Sequence, residues 1–472
     1  MQPSDIRRLV SVKDPRLSPD GRHVAFVVTR VDVEHNRYRS AVWLAAVDGS
    51  SPPYQLTAGE HGDGQPAWSP DGRRLAFTRR TDEGKGTLHV VPVAIPGETL
   101  TLCERPEAIE EPAWSPDSTR IAFASRERTG RYSDGADEKA RPPRRIDRLF
   151  SRVDGEGWLI DRPRGVFVVA ADGSGAPELV AGGPFEHGAP VWSPDGRTLA
   201  LTTTRAKDWD IELVDDVYLV DLESGELRAL TSRDLSHMRP AFSPDGSRIA
   251  TLATDARLIP SHSQVCVLDA STSEQRILTA DLDRQCAPNP GTRAPVWDGQ
   301  HLLFAIEDHG NVHVHRIAAD GAEPPQLLVG GTRVVSGYDA AGGTVAFVAS
   351  TPTSLPELFV LKDGVERRLT SLGAAFHAAV PAAEPEHFTV PSPVGDGDVD
   401  AWLVRPSVPA DGERVPVLLS IHGGPMTQYG NAWFDEFQLW TGAGYAVVYA
   451  QPAVSRSRGR AATSPRSRSS AS

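Results

Sequence analysis

The chain has 472 residues, more than one ordinary hydrophobic core needs, so two or more units or one repeat array are expected. Its content of 39% hydrophobic and 24% charged residues is typical of a globular protein. A net charge of −13 argues against a general nucleic-acid binder and against binding to anionic membranes, because both usually require a basic face.

The cysteines and the N-terminus suggest a compartment. The chain has three cysteines, Cys103, Cys266 and Cys286, with no C-x-x-C pair, so reduced thiols are expected and neither a metal site nor a cofactor motif is recognised. The first residues, MQPSDIRRLVSV, contain no apolar signal core, and no stretch approaches 18 apolar residues. These observations favour a cytoplasmic protein.

One motif recurs along most of the chain. Five copies contain Ser-Pro-Asp, as in PAWSPDGRRLAFTR from Pro66 and PAFSPDGSRIATLA from Pro240, and two weaker copies begin at Pro295 and Gly337. In five of the seven copies an aromatic residue ends the strand before the turn: Trp68, Trp114, Trp192, Phe242 and Trp297. Proline presets φ, aspartate bonds its own backbone and glycine accepts a positive φ, so the motif predicts a tight turn between two strands.

A second pattern follows each turn at a distance of about 20 to 30 residues. VYLVDLESGELRALTS (217–232) and LFVLKDGVERRLTS (358–371) both have the alternation of strand, turn and strand. Each repeat therefore supplies about four short strands over roughly 40–55 residues, which is typical of a β-propeller blade. We predict a mainly β fold with a seven-bladed β-propeller over residues 13–382.

The third repeat contains an insertion. Residues 126–147, RERTGRYSDGADEKARPPRRID, are rich in charge, glycine and proline, and the strand pattern resumes only after them. A solvated surface loop is the simpler interpretation. The alternative is a loop that reaches over the propeller face and touches a ligand or partner.

From residue 383 the pattern changes to that of an α/β sheet. Residues 386–406 predict two antiparallel strands, 414–424 a strand buried on both faces, 431–444 a helix and 445–450 a second buried strand. In the predicted helix, Trp433, Phe434, Phe437 and Trp440 have helical spacing. We therefore expect residues 383–452 to be the first part of an α/β-hydrolase domain. Without its remaining strands, such a sheet exposes apolar edges.

These features together resemble the prolyl oligopeptidase family of serine peptidases. The resemblance is carried by the SPDG-type repeats followed by WLVRP, HGGP and GYAVVYAQP, and it covers nearly all of residues 1–452. It implies a propeller that caps a hydrolase domain and admits only short peptides, without cofactor or metal. It also implies a helix over residues 1–12, before the first blade.

The resemblance assigns a role to HGGP, which is His422, Gly423, Gly424 and Pro425. In that family this loop helps to form the oxyanion hole, because glycines let backbone N–H groups approach the developing charge. Prolyl oligopeptidases proper have a tyrosine at the position of His422. Histidine suggests instead the acylaminoacyl-peptidase-like branch, which removes acylated or free N-terminal residues.

The residues of a catalytic triad are not found. An α/β-hydrolase places its nucleophile on a downstream G-x-S-x-G elbow, but the sequence contains no such motif and no histidine after His422. After Gln451 and Pro452 the chain becomes an Arg/Ser-rich stretch, predicted to be disordered over 453–472. A shifted reading frame is one hypothesis for this change and an evolved tail is the other; an RNA-binding tail is a weaker alternative.

Two classes of function follow from the sequence. The first is a serine peptidase of the acylaminoacyl, dipeptidyl or oligopeptidase type, truncated before its nucleophile and inactive as written, with the propeller gating short peptides. The second is a propeller that binds peptides or proteins without catalysis. Peptide preference and oligomeric state are not given by the sequence.

Overall fold

The computed structural model describes residues 1–93, 97–128, 143–258, 261–289, 291–392, 398–406, 414–424 and 427–451. The fold over these residues is mainly β, as predicted, and its strands form six main sheets within the described part of the chain. Among the described residues, no helix has the length and apolar composition needed to cross a bilayer. The predicted tail, 453–472, and residues 129–142 of the predicted insertion lie outside the described residues.

The N-terminus is only partly helical. A 3-10 helix spans Pro3–Arg8, and the first strand already begins at Val10. The prediction of a helix through residue 12 is therefore wrong at its end. Val10, Ser11, Val12 and Lys13 alternate between buried and exposed, and this period of two belongs to a strand.

Sheets 1 and 2 follow in chain order. Sheet 1 consists of β1 (Val10–Leu17), β2 (His23–Asp32), β3 (Arg37–Ala46), β4 (Tyr54–Gln55), β5 (Gly62–Trp68), β6 (Arg74–Arg80), β7 (Gly86–Pro92) and β8 (Leu100–Arg105). Sheet 2 consists of β9 (Ile109–Trp114), β10 (Arg120–Arg126), β13 (Arg164–Ala170) and β14 (Glu178–Ala181). Between the insertion and β13 lies a small hairpin of β11 (Arg152–Val153) and β12 (Gly157–Trp158).

Sheets 3, 4 and 5 complete the repeat region. Sheet 3 consists of β15 (Val191–Trp192), β16 (Thr198–Thr203), β17 (Asp216–Asp221) and β18 (Leu227–Ala229), with helix α1 (Trp209–Glu212) between β16 and β17. Sheet 4 consists of β19 (Ser236–Phe242), β20 (Arg248–Thr254), β21 (Gln264–Asp269) and β22 (Gln275–Ile277). Sheet 5 consists of β23 (Val296–Asp298), β24 (His301–Asp308), β25 (Asn311–Ala318), β26 (Gln326–Val329), β27 (Val334–Ala341), β28 (Thr344–Thr351), β29 (Ser354–Lys362) and β30 (Val365–Arg368).

The C-terminal region contains helix α2 and sheet 6. Helix α2 spans Ala374–Ala379, and the elements of sheet 6 are β31 (Pro385–Pro391), β32 (Asp398–Val404), β33 (Val417–Ser420), helix α3 (Asp435–Gly442) and β34 (Ala446–Ala450). The strand order is β31-β32-β34-β33, and β33 runs parallel to β34, so the predicted succession of strand, helix and strand is confirmed. The predicted helix is shorter than expected, because Trp433 and Phe434 precede its first turn.

Neighbouring repeats are joined by the aromatic residue that the sequence pattern singled out. The indole Nε1 of Trp114, at the end of β9, donates a hydrogen bond to the carbonyl oxygen of Ala67 in β5, at 2.9 Å. An equivalent hydrogen bond, from an indole Nε1 to a backbone carbonyl oxygen, links the first strands of neighbouring repeats in three further places: Trp68 to Arg16, Trp192 to Ala113 and Trp297 to Ala241. Phe242 occupies the equivalent position in β19 and has no N–H to donate.

Arginine side chains add a second contact at the same boundaries. The guanidinium group of Arg74, just after the turn of one repeat, lies 4.8 Å from the ring centroid of Trp114 in the next repeat. Arg120 covers Trp192 and Arg248 covers Trp297 in the same way. Each such cation–π contact contributes about 0.5–1 kcal/mol where it is exposed, so the boundary combines a hydrogen bond with a stacked cation.

The first repeat also packs against the last. Val12 and Phe26 share a buried cluster with Val348 and Leu358, which belong to β28 and β29. The backbone N–H of Leu17 donates to Oδ2 of Asp339 at 2.8 Å. These contacts connect residues more than 300 positions apart, and they bring the two ends of the repeat region together.

The Ser-Pro-Asp turns are held by one recurring hydrogen bond. The hydroxyl of Ser243 donates to Oδ1 of Asp245 at 2.6 Å, and the backbone N–H of Arg248 donates back to Ser243 Oγ at 3.0 Å. The serine hydrogen bond is the main cause that lowers the pKa of Asp245 from the ordinary 3.8 to about 2. The pKa is lowered in the same way at equivalent turns, in Asp20, Asp117 and Asp195.

We expect Trp114→Phe to lower the free energy of unfolding by about 0.5–1.5 kcal/mol, because it removes the hydrogen bond to the half-buried carbonyl of Ala67. Urea denaturation followed by circular dichroism measures this change. The matched control is Trp43→Phe, whose indole N–H has no hydrogen-bond partner among the described residues. Equal losses in the two variants would contradict the role assigned to the indole hydrogen bond.

A second prediction concerns acid stability. Because the pKa of Asp245 is lower in the folded chain, its contribution to stability is complete above the unfolded value of 3.8 and is lost as the pH falls towards about 2. Asp245→Asn should therefore be less stable than the unchanged chain at pH 6, and the difference should vanish near pH 2. Urea midpoints measured between pH 2 and 6 test this, and a difference independent of pH would refute it.

Candidate active site

The predicted oxyanion loop follows an edge strand of sheet 6. Strand β33 pairs with β34 from Val417 opposite Ala446 to Ser420 opposite Tyr449, and among the described strands it has no neighbour on its other side. The prediction that this strand is buried on both faces is wrong. Val417 is 61% exposed, Leu419 65% and Ile421 75%, because no described element covers the face that carries these three residues.

The two glycines of the loop differ in backbone conformation. Gly424 has φ = 126°, a left-handed conformation that residues with a side chain rarely adopt, whereas Gly423 is not in this region. A Cβ atom added to Gly423 would meet no atom within 4 Å. The approach to the loop is therefore open at Gly423, as an oxyanion site requires. Pro425 lies outside the described residues, so its role and that of the whole motif remain predictions.

His422 lies between the loop and an aromatic cluster. Its Nδ1 is 3.0 Å from the carbonyl oxygen of Gly423, and its ring packs edge-on against Tyr429 at a centroid distance of 5.5 Å. The hydroxyl of Ser420 donates to Tyr429 Oη at 3.1 Å. Tyr429 thus connects the last residue of β33 with the start of the loop.

An aromatic cluster packs against the loop. Tyr449 stacks on Phe437 at 4.4 Å and on Trp402 at 5.2 Å, and Tyr429 packs edge-on against both Phe437 and Tyr449. Burial raises the pKa of Tyr449, so its hydroxyl stays protonated at neutral pH. The strand β34, helix α3 and the HGG loop are therefore fixed relative to one another by one buried cluster.

A cavity of about 1010 Å³ lies among the first strands of the repeats. Its lining includes four residues that precede a proline at equivalent places and have φ between 51° and 56°: Asp14, Gln65, Glu111 and Arg239. Non-glycine residues in this region are uncommon and concentrate at functional sites. These four residues were not predicted from the sequence. A visible signal was present, because in most of these places the residue is followed by proline and then by Ala-Trp or Ala-Phe.

An ion pair crosses this cavity. The guanidinium group of Arg239, in β19, contacts the carboxylate of Glu111, in β9, and Arg164 pairs with the neighbouring Glu110 at 2.8 Å. The repeat between them has Ala189 at the equivalent place, and its small side chain leaves room for Arg239 to reach Glu111. The side chains at these positions thus determine the free width of the cavity.

The described cysteines are not prepared to act as nucleophiles. Burial raises the pKa of the cysteine thiols to about 11 or 12, so they are not thiolates at neutral pH: Cys103, Cys266 and Cys286. Burial also lowers the pKa of three histidines to about 4: His89, His187 and His315. Among the described residues, no group of three or more metal-ligating side chains could hold a metal ion.

One carboxylate with a shifted pKa was not predicted from the sequence. Burial, with the neighbouring charges of Asp216 and Glu186, raises the pKa of Asp215 to about 6. Its backbone oxygen accepts a hydrogen bond from the N–H of His237 at 2.8 Å. Such a shift is frequent at functional sites, but nothing in the sequence around Asp215 distinguishes it from an ordinary surface aspartate.

Comparison with known proteins agrees with this arrangement. No family model matches the chain. It is 29% identical over 477 residues to the uncharacterized peptidase YuxL of Bacillus subtilis, covering 97% of this chain and 71% of that protein. It is 24% identical to dipeptidyl-peptidase 5 of Porphyromonas gingivalis, covering 95% of this chain and 67% of that protein.

Solved structures show the same fold. The acylaminoacyl peptidase of Pyrococcus horikoshii superposes with a TM-score of 0.81 at 21% identity, covering 97% of this chain and 68% of that one. A puromycin-hydrolyzing peptidase of Mycobacterium tuberculosis superposes with a TM-score of 0.72 at 16% identity, covering 98% and 69%. Over the described residues the fold is therefore that of these peptidases. The named relatives and structural neighbours are peptidases of the kind that the sequence resemblance indicated, the prolyl oligopeptidase family.

We expect Gly424→Ala to loosen the loop, because alanine is strained at φ = 126°. Hydrogen exchange of residues 414–424 should become several-fold faster, in line with a cost of about 1 kcal/mol or more. Gly423→Ala is the matched control, since its added Cβ meets open space. Equal effects of the two substitutions would show that the conformation of Gly424 does not hold the loop.

Proposed function

We propose that this chain is a peptidase-type protein of the acylaminoacyl and dipeptidyl branch, directed at short peptides. The observation that carries the proposal is the glycine pair Gly423 and Gly424 after β33, at the end of a strand that runs parallel to β34. Backbone N–H groups at such a place donate hydrogen bonds to the oxyanion of an acyl-transfer reaction. The similarity to a named peptidase over 97% of this chain supports the same class.

The architecture that we propose has two parts. If each half of the two eight-stranded sheets is counted as one blade, the repeat region forms a seven-bladed propeller over residues 13–382. Residues 383–452 then form the beginning of the peptidase domain. The central cavity, narrowed by the pair of Arg239 and Glu111, limits access to short and extended peptides.

We further propose that the 472-residue polypeptide does not itself form an acyl-enzyme. The support is that its sequence contains no G-x-S-x-G elbow, while the described cysteines are protonated and buried or half-buried. A peptide that reaches Gly423 and Gly424 would meet oxyanion donors without an activated serine. A binding module without catalysis is not favoured by the relatives, whose names are those of peptidases.

A fluorophosphonate probe tests the reaction step. We expect no covalent labelling of this polypeptide, whereas a family member that contains its G-x-S-x-G elbow should be labelled under the same conditions. Intact-mass spectrometry before and after the probe is the measurement. An added mass that survives denaturation, at any residue of this chain, would refute the second proposal.

The peptide class needs a separate measurement. We expect an N-acylated tripeptide to bind saturably, and Arg239→Ala to change that affinity by removing the ion pair in the cavity. Arg197→Ala, at an exposed turn, is the control that should bind like the unchanged chain. Isothermal titration calorimetry reports both, and no binding of any short peptide would count against the proposed substrate class.

A further inference from the structure

A buried carboxylate on sheet 6 is bound by two imidazole rings, one from the repeat region and one from sheet 6 itself. Oδ2 of Asp400 accepts a hydrogen bond from Nδ1 of His309 at 2.7 Å, and Oδ1 accepts one from Nε2 of His387 at 2.8 Å. The side chain of Asp400 is only 7% exposed. We propose that Asp400 and His309, with His387 binding the same carboxylate from within sheet 6, form a proton-sensitive clasp that holds sheet 6 against the repeat region.

The propeller side of the clasp is a strained turn. His309 and Gly310 connect β24 to β25, and His309 has φ = 46°, a left-handed conformation that is unfavourable for a residue with a Cβ. Histidine shares with asparagine and aspartate a higher tolerance of positive φ than most residues have, so the backbone alone does not select histidine over these or glycine. The hydrogen bond to Asp400 gives His309 a function that glycine, asparagine or aspartate could not perform across the same distance.

Sheet 6 surrounds this turn closely. The backbone N–H of Asn431 donates to the carbonyl oxygen of Gly310 at 2.8 Å, and Nδ2 of Asn431 donates to Oδ1 of Asn311 at 2.8 Å. A Cβ on Gly430 would lie 2.0 Å from the Gly310 oxygen, and a Cβ on Gly310 would lie 2.8 Å from the ring of Trp402. The turn is therefore inserted into sheet 6 and ends beside Asp400.

Protonation changes the strength of the clasp. Imidazole changes its charge between about pH 5 and 8, and a cationic imidazole bonds a carboxylate more strongly than a neutral one because both partners are then charged. In the neutral form each ring still donates one N–H to Asp400, so the contact persists but weakens. The clasp is strongest in mildly acidic solution and weakens as the pH rises through neutrality.

The charged groups around His309 and His387 do not oppose a stronger clasp at lower pH. Asp308 lies 3.7 Å from Nε2 of His309, and Asp308 is itself paired with Arg284 at 2.5 Å. Next to His387, Glu386 and Arg405 pair with each other at 2.8 Å. Strand β34, on the other side of β32, contributes only apolar side chains and Tyr449. Asp398, also on β32, lies two residues from Asp400 and adds a further acidic group.

The clasp is connected to the candidate active site. The backbone oxygen of Asp400 accepts a hydrogen bond from the N–H of Gln451 at 2.8 Å, at the end of β34, and β34 pairs with the strand that precedes the HGG loop. Loosening the clasp releases sheet 6, and with it the loop, from the repeat region. This conformational control needs no catalysis and does not rest on the proposed function.

Hydrogen exchange tests the clasp, using the full chain at pH 5.5 and pH 8.0 with rates corrected for intrinsic exchange. In the unchanged chain we expect the amides of β32 and of the turn at 308–311 to be protected about tenfold more at pH 5.5. Asp400→Asn should abolish that pH dependence. Glu386→Gln, which breaks an exposed pair on the same sheet, is the control that should retain it.

A second variant addresses the case in which Asp400→Asn disturbs folding. Asparagine tolerates the left-handed conformation, so His309→Asn keeps the turn while it removes one titrating ring. We expect it to lose about half of the pH dependence on a logarithmic scale, with exchange in sheets 1 to 4 unchanged. Unchanged pH dependence in both variants, or equal loss in Glu386→Gln, overturns the proposal.

Discussion

The hydrogen bond from a tryptophan indole to the first strand of the preceding repeat is the contact on which the arrangement of the repeats depends. Each four-stranded repeat is amphipathic and too small to bury its own apolar face, so it needs a neighbour at a fixed position. The bond from Trp114 to Ala67, with Arg74 stacked over the ring, fixes both the distance and the rotation between neighbours. Repetition of this contact brings the last repeat back to the first, where Leu17 bonds Asp339.

The first strands that these tryptophans hold in place also line the central cavity. A tryptophan ends four of the first strands, and the residue before the proline has a left-handed conformation on the cavity side in four of them. The two features occur together in two strands, at Gln65 and Glu111, so they are separate properties of the repeat. Among the left-handed residues, Glu111 and Arg239 pair with each other in the cavity.

Sheet 6 depends on the repeat region in a different way. It has its own aromatic cluster around Trp402 and Tyr449, yet one edge strand exposes Val417 and Leu419. Its position against the repeat region is determined by the turn at Gly310, by Asn431 and by the bond from His309 to Asp400. The N-terminus contributes as well, because Gln2 donates to the backbone oxygen of Gly442. The HGG loop packs on the aromatic cluster of its own sheet through His422 and Tyr429, and the position of sheet 6 against the repeat region depends on a small set of polar contacts.

Local sequence patterns were sufficient for much of the fold. The tryptophans, the Ser-Pro-Asp turns and the alternation after them act over a few residues, so the strands, the turns and the parallel pair around α3 were predictable, as was the glycine loop at Gly423 and Gly424. The burial of β33 was predicted wrongly, because burial depends on elements that lie beside a strand in space and not in sequence. The end of the N-terminal helix was misplaced because three alternating residues are too few to distinguish a strand from a helix.

The sequence by itself determined the repeat, its turns and the chemistry available in the loop, because these depend on φ preferences and on side-chain period. Only the tertiary structure decided which distant side chains meet: Glu111 with Arg239 across the cavity, and His309 with Asp400 between two regions 91 residues apart. No local pattern encodes these pairs, since each residue is ordinary within its own strand or turn. They exist because the ring of repeats closes and because a strained two-residue turn enters sheet 6.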